Sequence, residues 1–255
     1  MLGYERRERI RRLIAARQQV SVGELSALLG ASPSTIRRDL ARLEQEGRLQ
    51  REHGGATACE STPAAPEPSV LERANEQIED KRRIGRAAAQ LVADGETVFI
   101  SSGTTTAEVA RCLRGRTGLI VMTNALNIAH LLLDDPGITL VVVGGLLRRS
   151  ELSLVGPLAD QAVRDLRADK VIMGIRALHP DFGLTNDTLL ETQTDRAILH
   201  CAPQVIIVAD HTKLGRVAPS LVAPVTEMHV LVTDRAAPND VLEALRNRGV
   251  RITQV

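Results

Sequence analysis

The sequence is poor in aromatic residues, lysine and cysteine, and each shortage argues against a class of function. Only Tyr4, Phe99 and Phe182 are aromatic among 255 residues, and there is no tryptophan. Proteins that grip RNA or single-stranded nucleic acid stack the bases on aromatic rings, so that mode of binding is disfavoured. Cys59, Cys112 and Cys201 are odd in number and widely spaced, which fits neither a disulfide framework nor a metal knuckle. A reducing, cytoplasmic location is the expectation. No apolar run approaches the roughly 18 residues of a membrane span. The opening MLGYERRERIRRLI lacks the apolar core and cleavage site of a secretory signal. The six histidines fall without HxH or HExxH spacing, so no metal site is expected. No G-x-G-x-x-G or G-K-[ST] fingerprint occurs, and no cofactor is expected.

Charge is unevenly spread. Residues 1–57 carry eleven arginines and no lysine against seven acids, whereas the remainder is mildly acidic. A basic head on an acidic body points to a polyanionic partner for the head. The stretch ACESTPAAPEPS at 58–69 has three prolines and no hydrophobic period, which marks a linker. Three parts follow: a head at 1–57, the linker at 58–69, and a body at 70–255.

In the head, Ile10, Leu13 and Ile14 stripe one helix, and Val22, Leu25, Leu28 and Leu29 a second that Gly30 ends. Ser32-Pro33 then supplies an N-cap and a proline at the first helical position of a third. At 100° per residue, Ile36, Leu40 and Leu43 of this helix share one face. Ser34, Arg38 and Ala41 point away, flanked by Thr35, Arg37 and Arg42. RLQREHGGA at 48–56 predicts a short basic hairpin carrying Arg48, Arg51 and His53. Three helices and a hairpin with this outward face describe a winged helix-turn-helix, its third helix sized for a major groove. The expected DNA contacts are Ser32, Ser34, Thr35, Arg37, Arg38, Arg42, Arg51 and His53. Arg37 and Arg38 would divide base and phosphate contacts between them.

In the body a long helix is expected over 71–92. Short Val/Ile-rich strands follow at 97–100, 119–123, 138–144, 170–174, 204–210, 229–234 and 250–255, with helices at 104–113, 125–133, 157–167, 189–201 and 238–248. That alternation predicts an α/β fold with a mostly parallel sheet covered on both faces. In such sheets ligands bind at the carboxyl ends of strands. The strand ending at Ile100 runs into Ser101, Ser102, Gly103, Thr104, Thr105 and Thr106 and then a helix, which aims hydroxyls, backbone N–H groups and a helix dipole at one point. Thr123 and Asn124, Gly144 and Gly145 with Arg148, and Lys213 follow other strands. Together these residues describe an anion pocket. Taken singly, each is more often a cap or turn.

The segment VSVGELSALLGASPSTIRRDLARLEQEGRLQREHGGA at 20–56 resembles the winged helix-turn-helix of DeoR-type bacterial transcriptional regulators. The body segments SSGTT, VMTNALNIA, GGLLRRSELSLVGP, DKVIMG, FGLTN and ADHTKLG resemble the sensor domain of the same family. The resemblance implies a fold similar to ribose-5-phosphate isomerase, operator binding by a dimer or tetramer, usually as a repressor, and a phosphorylated sugar or polyol as effector. It implies Gly103, Thr104 and Thr105 as the phosphate cradle, with Thr123, Asn124 and Lys213 completing the pocket. Two departures alter the charge: Ser101 or Ser102 stands where an acid is common, and Asp195 near a usual lysine. Arg176, where a smaller residue is usual, would supply a compensating cation. The rival is a sugar-phosphate isomerase, but Gly174-Ile175-Arg176-Ala177 lacks the carboxylate such an enzyme needs as base.

Overall fold

The structure is a computed structural model and describes residues 6, 7, 9, 10, 13, 14, 19–45, 49–52, 55–57 and 69–255. Arg48, His53 and the expected linker, apart from Ser69, lie outside the described residues. The chain divides into two compact units, residues 1–67 and 68–255.

In the first unit, helical residues between 6 and 14 bury Ile10 and Ile14. Strand β1 (Gln19–Ser21) leads into helix α1 (Val22–Leu29). Ser21 starts α1 because its hydroxyl accepts from Glu24 N at 3.2 Å while the Glu24 carboxylate accepts from Ser21 N at 2.8 Å, a reciprocal capping box. Helix α2 (Pro33–Gln45) begins on Ser32, whose hydroxyl accepts from Thr35 N at 3.3 Å. Strands β2 (Gln50–Glu52) and β3 (Gly55–Thr57) form the expected hairpin, with Arg51 opposite Ala56. The sheet has a third member that sequence patterning missed: β1 pairs with β3, Val20 opposite Ala56. Ile36, Leu40 and Leu43 pack into one core with Leu25, Leu29 and Val20. Leu28, expected in that stripe, is 49% exposed instead. Asp39 is a buried acid on α2, held by Arg6 Nε at 2.6 Å, with Arg7 at 3.6 Å.

The second unit is a seven-stranded sheet whose strands are β4 (Thr97–Ile100), β5 (Leu119–Thr123), β6 (Ile138–Val142), β9 (Lys170–Gly174), β12 (Gln204–Val208), β14 (Val230–Thr233) and β15 (Arg251–Gln254), in the order β15-β14-β12-β9-β4-β5-β6. Every pairing in it is parallel. Side chains alternate between two cores. Phe99, Val171, Met173 and Ile207 enter one, and Val98, Ile100, Ile172 and Ile206 the other. Each buried residue of this size contributes about 1.5–3 kcal/mol. The covering helices are α3 (Ile78–Ala89), α4 (Thr104–Leu113), α5 (Leu126–Leu132), α6 (Pro157–Arg164), α7 (Leu189–Leu199) and α8 (Asn239–Arg246). Gly85 of α3 packs so tightly on α4 that a Cβ there would lie 2.7 Å from the Glu108 carbonyl carbon.

Two additions sit beside the sheet: a hairpin of β7 (Leu146–Arg148) and β8 (Ser153–Val155), and an antiparallel sheet of β10 (Ala177–His179), β11 (Gly183–Asn186) and β13 (Ser220–Ala223). The expected helix over 71–92 is two pieces. A 3-10 turn covers Arg73–Asn75, Gln77 adopts φ 49°, and α3 starts at Ile78.

Candidate functional site

In the first unit Ser32, Ser34, Arg37, Arg38 and Arg42 are exposed and Thr35 is half-buried, while Ile36 and Leu40 face the core. The hydroxyl of Ser32 lies 2.9 Å from that of Ser34 and 2.8 Å from that of Thr35. This hydroxyl cluster caps the amino end of α2, where the helix dipole favours phosphate. The exposed face of α2 is thus small, polar and cationic. Arg51 lies on β2.

In the second unit the chain runs from β4 to β5 and β6 and then crosses back to β9 on the other side of β4. The carboxyl ends of β4 and β9 therefore flank the point where strand order reverses, the crevice in which open α/β sheets bind ligands. Gly103 sits there at φ 142° and ψ 166°, a conformation open essentially to glycine alone, and heads α4. Ser102, Gly103 and Thr104 are half-exposed, whereas Ser101 and Thr105 are buried. Thr104 also lines a hollow of about 200 Å³ with Val70, Leu71, Ala74 and Asn127.

Two of the expected ligand hydroxyls are corrected by their hydrogen bonds. Thr106 is fully buried and donates to Gly103 O at 3.1 Å. Thr123 is fully buried, donating to Ile100 O at 2.7 Å and accepting from Ala125 N at 3.0 Å. Both brace the loops. Asn124 is 1% exposed; its amide donates to Leu154 O, and its Oδ1 has no partner among the described residues. Gly144 and Gly145 lead into β7. Arg148 reaches across to Glu191 of α7, and Arg176 pairs with Asp187 at 2.7 Å.

Lys213 follows β12 on a short 3-10 turn and is half-buried. Among the described residues its ammonium has no hydrogen-bond or ion-pair partner. Beside it stands a residue that sequence reasoning passed over. Lys81, on α3, is 3% exposed, and its ammonium donates to Arg73 O at 2.7 Å. Burial pushes both lysines below the usual range, and each lies close enough to Arg73 to be pushed further; Asp210 opposes the shift in both. Arg176 adds to the repulsion at Lys213. This crowding of cations in a sheltered place is relieved by an anion.

The segment entering the second unit is tied to the same place. Val70 N donates to Ser150 O at 2.6 Å, and Arg73 pairs with Glu151. His211 is fixed by Asp234, which accepts from its backbone N at 2.6 Å and lies 3.0 Å from its Nδ1. Asp80 completes a trio of metal-competent groups, but Asp80 pairs with Arg83, and Asp234 also accepts from Ala236 N, so the trio acts as a brace.

Family models match both units: a DeoR-like helix-turn-helix domain over residues 6–62 and the DeoR C-terminal sensor domain over 76–235. The chain belongs to the DeoR family. This DeoR-family chain is a DNA-binding transcriptional regulator with a sensor domain. It is 36% identical over 98% of its length to a protein of Escherichia coli O157:H7 named as an aga operon transcriptional repressor, covering 93% of that protein. It is 32% identical to the glycerol-3-phosphate regulon repressor of Escherichia coli strain K12, over 97% of both chains. Among solved structures, ribose 5-phosphate isomerase A from Methanocaldococcus jannaschii aligns over 55% of each chain at 17% identity and a TM-score of 0.41. No described helix is long and apolar enough to cross a membrane.

Proposed function

We propose that this DeoR-family regulator is a repressor of an operon for sugar or polyol metabolism, and that a phosphorylated sugar or polyol binding its second unit releases it from the operator. The observation that carries the reading is Lys213, unpartnered among the described residues, beside buried Lys81, at the same carboxyl edge of the sheet as the Gly103 turn that heads α4. A phosphate there gains two ammonium groups, the backbone N–H groups of α4 and the hydroxyls of Ser102 and Thr104. The head at 1–57 reads the operator through α2, and the chain works in the cytoplasm as a dimer or tetramer on repeated half-sites. The name of the glycerol-3-phosphate regulon repressor is consistent with a phosphorylated effector for a relative.

Isomerase chemistry is not part of the proposal. Glu191 pairs with Arg148, Asp187 with Arg176 and Asp181 with Arg248, and Asp195 accepts from the Asn186 amide, so each of these carboxylates is already engaged. Turnover of ribose 5-phosphate abolished by Glu191→Ala would overturn this.

The test is gel-shift titration of the full chain on an operator selected from randomised duplexes, with phosphorylated pentoses, hexoses and glycerol as probes. A tenfold loss of operator affinity on effector binding corresponds to about 1.4 kcal/mol of coupling. Lys213→Met is expected to bind the operator normally and ignore the effector. Release of Lys213→Met at the wild-type effector concentration sinks the pocket assignment. Of Arg37→Ala and Arg38→Ala, one is expected to relax base preference, at about 1–3 kcal/mol, and the other to weaken all sequences alike.

A further inference from the structure

We propose that the second unit carries a further ligand site, an arginine-lined cleft between α6 and α7 that takes a small anion with two or more charged groups, such as a diphosphate or a polycarboxylate. The inference stands apart from the phosphorylated-effector reading above and does not depend on it.

The cleft has a volume of about 620 Å³, within the range of small-molecule sites. Arg164 of α6, Arg167 just beyond that helix and Arg196 of α7 line it, and all three are exposed. Among the described residues none of the three pairs with an acid, and Arg164 makes no hydrogen bond. Arg167 Nη1 donates to Arg164 O at 2.8 Å and to Leu166 O at 2.6 Å. Arg196 donates from Nε to Val222 O at 3.2 Å and from Nη2 to Leu221 O. These partners are neutral carbonyls, so they fix two guanidinium groups without cancelling their charge. A guanidinium has five donors, and most of them stay open here. Cations at the carboxyl end of a helix offset its dipole, which amounts to about half a charge. Two helix ends therefore account for roughly one cation of the three. Asp160, the acid on the lining, is buried and accepts from the Thr194 hydroxyl at 2.5 Å. Glu227 stands 3.5 Å from Nε2 of His200, another lining residue.

The arrangement of the walls sets the kind of anion. Arg164 and Arg167 belong to the α6 side and Arg196 to the α7 side, so a ligand with a charged group at each end engages both. Guanidinium forks match the paired oxygens of phosphate and carboxylate groups. Buried Val163 and Cys201 close the inner side. Burial pushes the Cys201 thiol up to about 11, and Arg167 pulls against it, which sets that guanidinium close to the inner side of the cleft. A cleft lined by one sign of charge concentrates its counter-ion. The site is also separate from the lysines. Beyond their last turns α6 and α7 lead to the first residues of β9 and β12, and Ala168 N donates to Cys201 O at 2.9 Å between those two connections. The arginines thus stand toward the amino edge of the sheet. Lys213 follows the other end of β12, and five residues of strand span roughly 16 Å.

The experiment is calorimetric titration of the full-length Lys213→Met chain with sodium pyrophosphate, citrate and, as the singly charged comparison, acetate. Pyrophosphate stands for diphosphate esters and citrate for polycarboxylates. At least one of the two is expected to bind ten-fold or more tighter than acetate, with an affinity that falls as sodium chloride is added. The same anion is expected to slow hydrogen exchange at residues 162–168 and 197–203 and to leave 101–106 unchanged. Arg164→Gln is expected to weaken its binding three-fold or more, and Arg164→Gln combined with Arg167→Gln ten-fold or more. Arg251→Gln, which removes an exposed arginine of edge strand β15, is expected to change nothing. Binding no tighter than that of acetate, protection at 101–106 instead, or a loss in Arg251→Gln equal to that in Arg164→Gln overturns the inference. So does a double variant that loses operator affinity while binding both anions normally, which would give the cleft to DNA. Each of these results leaves the effector reading standing, because that reading is tested by the operator response of Lys213→Met alone.

Discussion

Asp39→Ala removes the acid that fastens α2 to the helical residues before β1. Asp39 keeps 7% side-chain exposure and Arg6 16%, so the pair is largely but not wholly withdrawn from water. Deleting one partner of a buried pair costs about 3–5 kcal/mol, and the residual exposure of Arg6 places this case near the lower figure. At about 1.4 kcal/mol per factor of ten, a loss of about 3 kcal/mol multiplies the open population roughly a hundred-fold. Hydrogen exchange read by mass spectrometry on the full chain measures that population segment by segment. Amides of α2 are expected to exchange up to about a hundred-fold faster in Asp39→Ala, and about ten-fold faster in Asp39→Asn, which retains one acceptor for Arg6. Amides of β9, in the other unit, serve as the internal reference and are expected to be unchanged. Acceleration below three-fold in α2 would mean that the pair holds nothing in place. Equal acceleration in β9 would refute the assignment of the effect to the first unit.

Gly103→Ala forces a side chain into a backbone conformation that costs about 1–3 kcal/mol, with its Cβ 3.0 Å from Thr106 Oγ1. A lower melting temperature with lost effector response, and operator binding intact without effector, is expected; normal response would refute the turn's role. Gly85→Ala gains up to about 1 kcal/mol of helix propensity but meets the Glu108 backbone at 2.7 Å, and overpacking costs about 1–3 kcal/mol or more. Net destabilisation in urea titration is expected, and a more stable variant would contradict the packing argument. The carboxyl of Asp195 is raised on folding, so the native state keeps a proton that the unfolded chain has released. Stability from this group therefore declines as pH rises from the unfolded value, about 3.9, through the folded one. Asp195→Asn is expected to gain on the wild type at pH 8 relative to pH 4 in denaturant titrations, and a pH-independent difference would count against it.

Sequence patterning exposes what depends on runs. The strands TVFI, LIVMT and KVIMG stand out because most of their residues are buried on one face or the other of a covered sheet, and α2 because its apolar stripe is bounded by Ser32-Pro33. The three-residue strands β1, β7, β8 and β10 escape because they hold too few residues for a period of two to register. The break at Gln77 escapes because neither glycine nor proline announces it. Lys81 looks like the wet side of an amphipathic helix, and only the tertiary fold places its ammonium on the Arg73 carbonyl. The pairs Arg148–Glu191 and Arg73–Glu151 join residues far apart in sequence, so the reading of Arg148 as an open ligand contact had no means of foreseeing its acid.

The grip on residues 70–73 has a consequence for how a signal leaves the pocket. The same arginine that lends its carbonyl to Lys81 lends its guanidinium to Glu151, and Val70 is clipped to Ser150. Under the proposed effector reading, an anion that drew the Lys81 ammonium toward itself would loosen one clasp, and an anion that competed for Arg73 would loosen the other. Either event would change the slack at the threshold of the second unit. The message would then travel as a released mooring, needing no hinge through the scaffold.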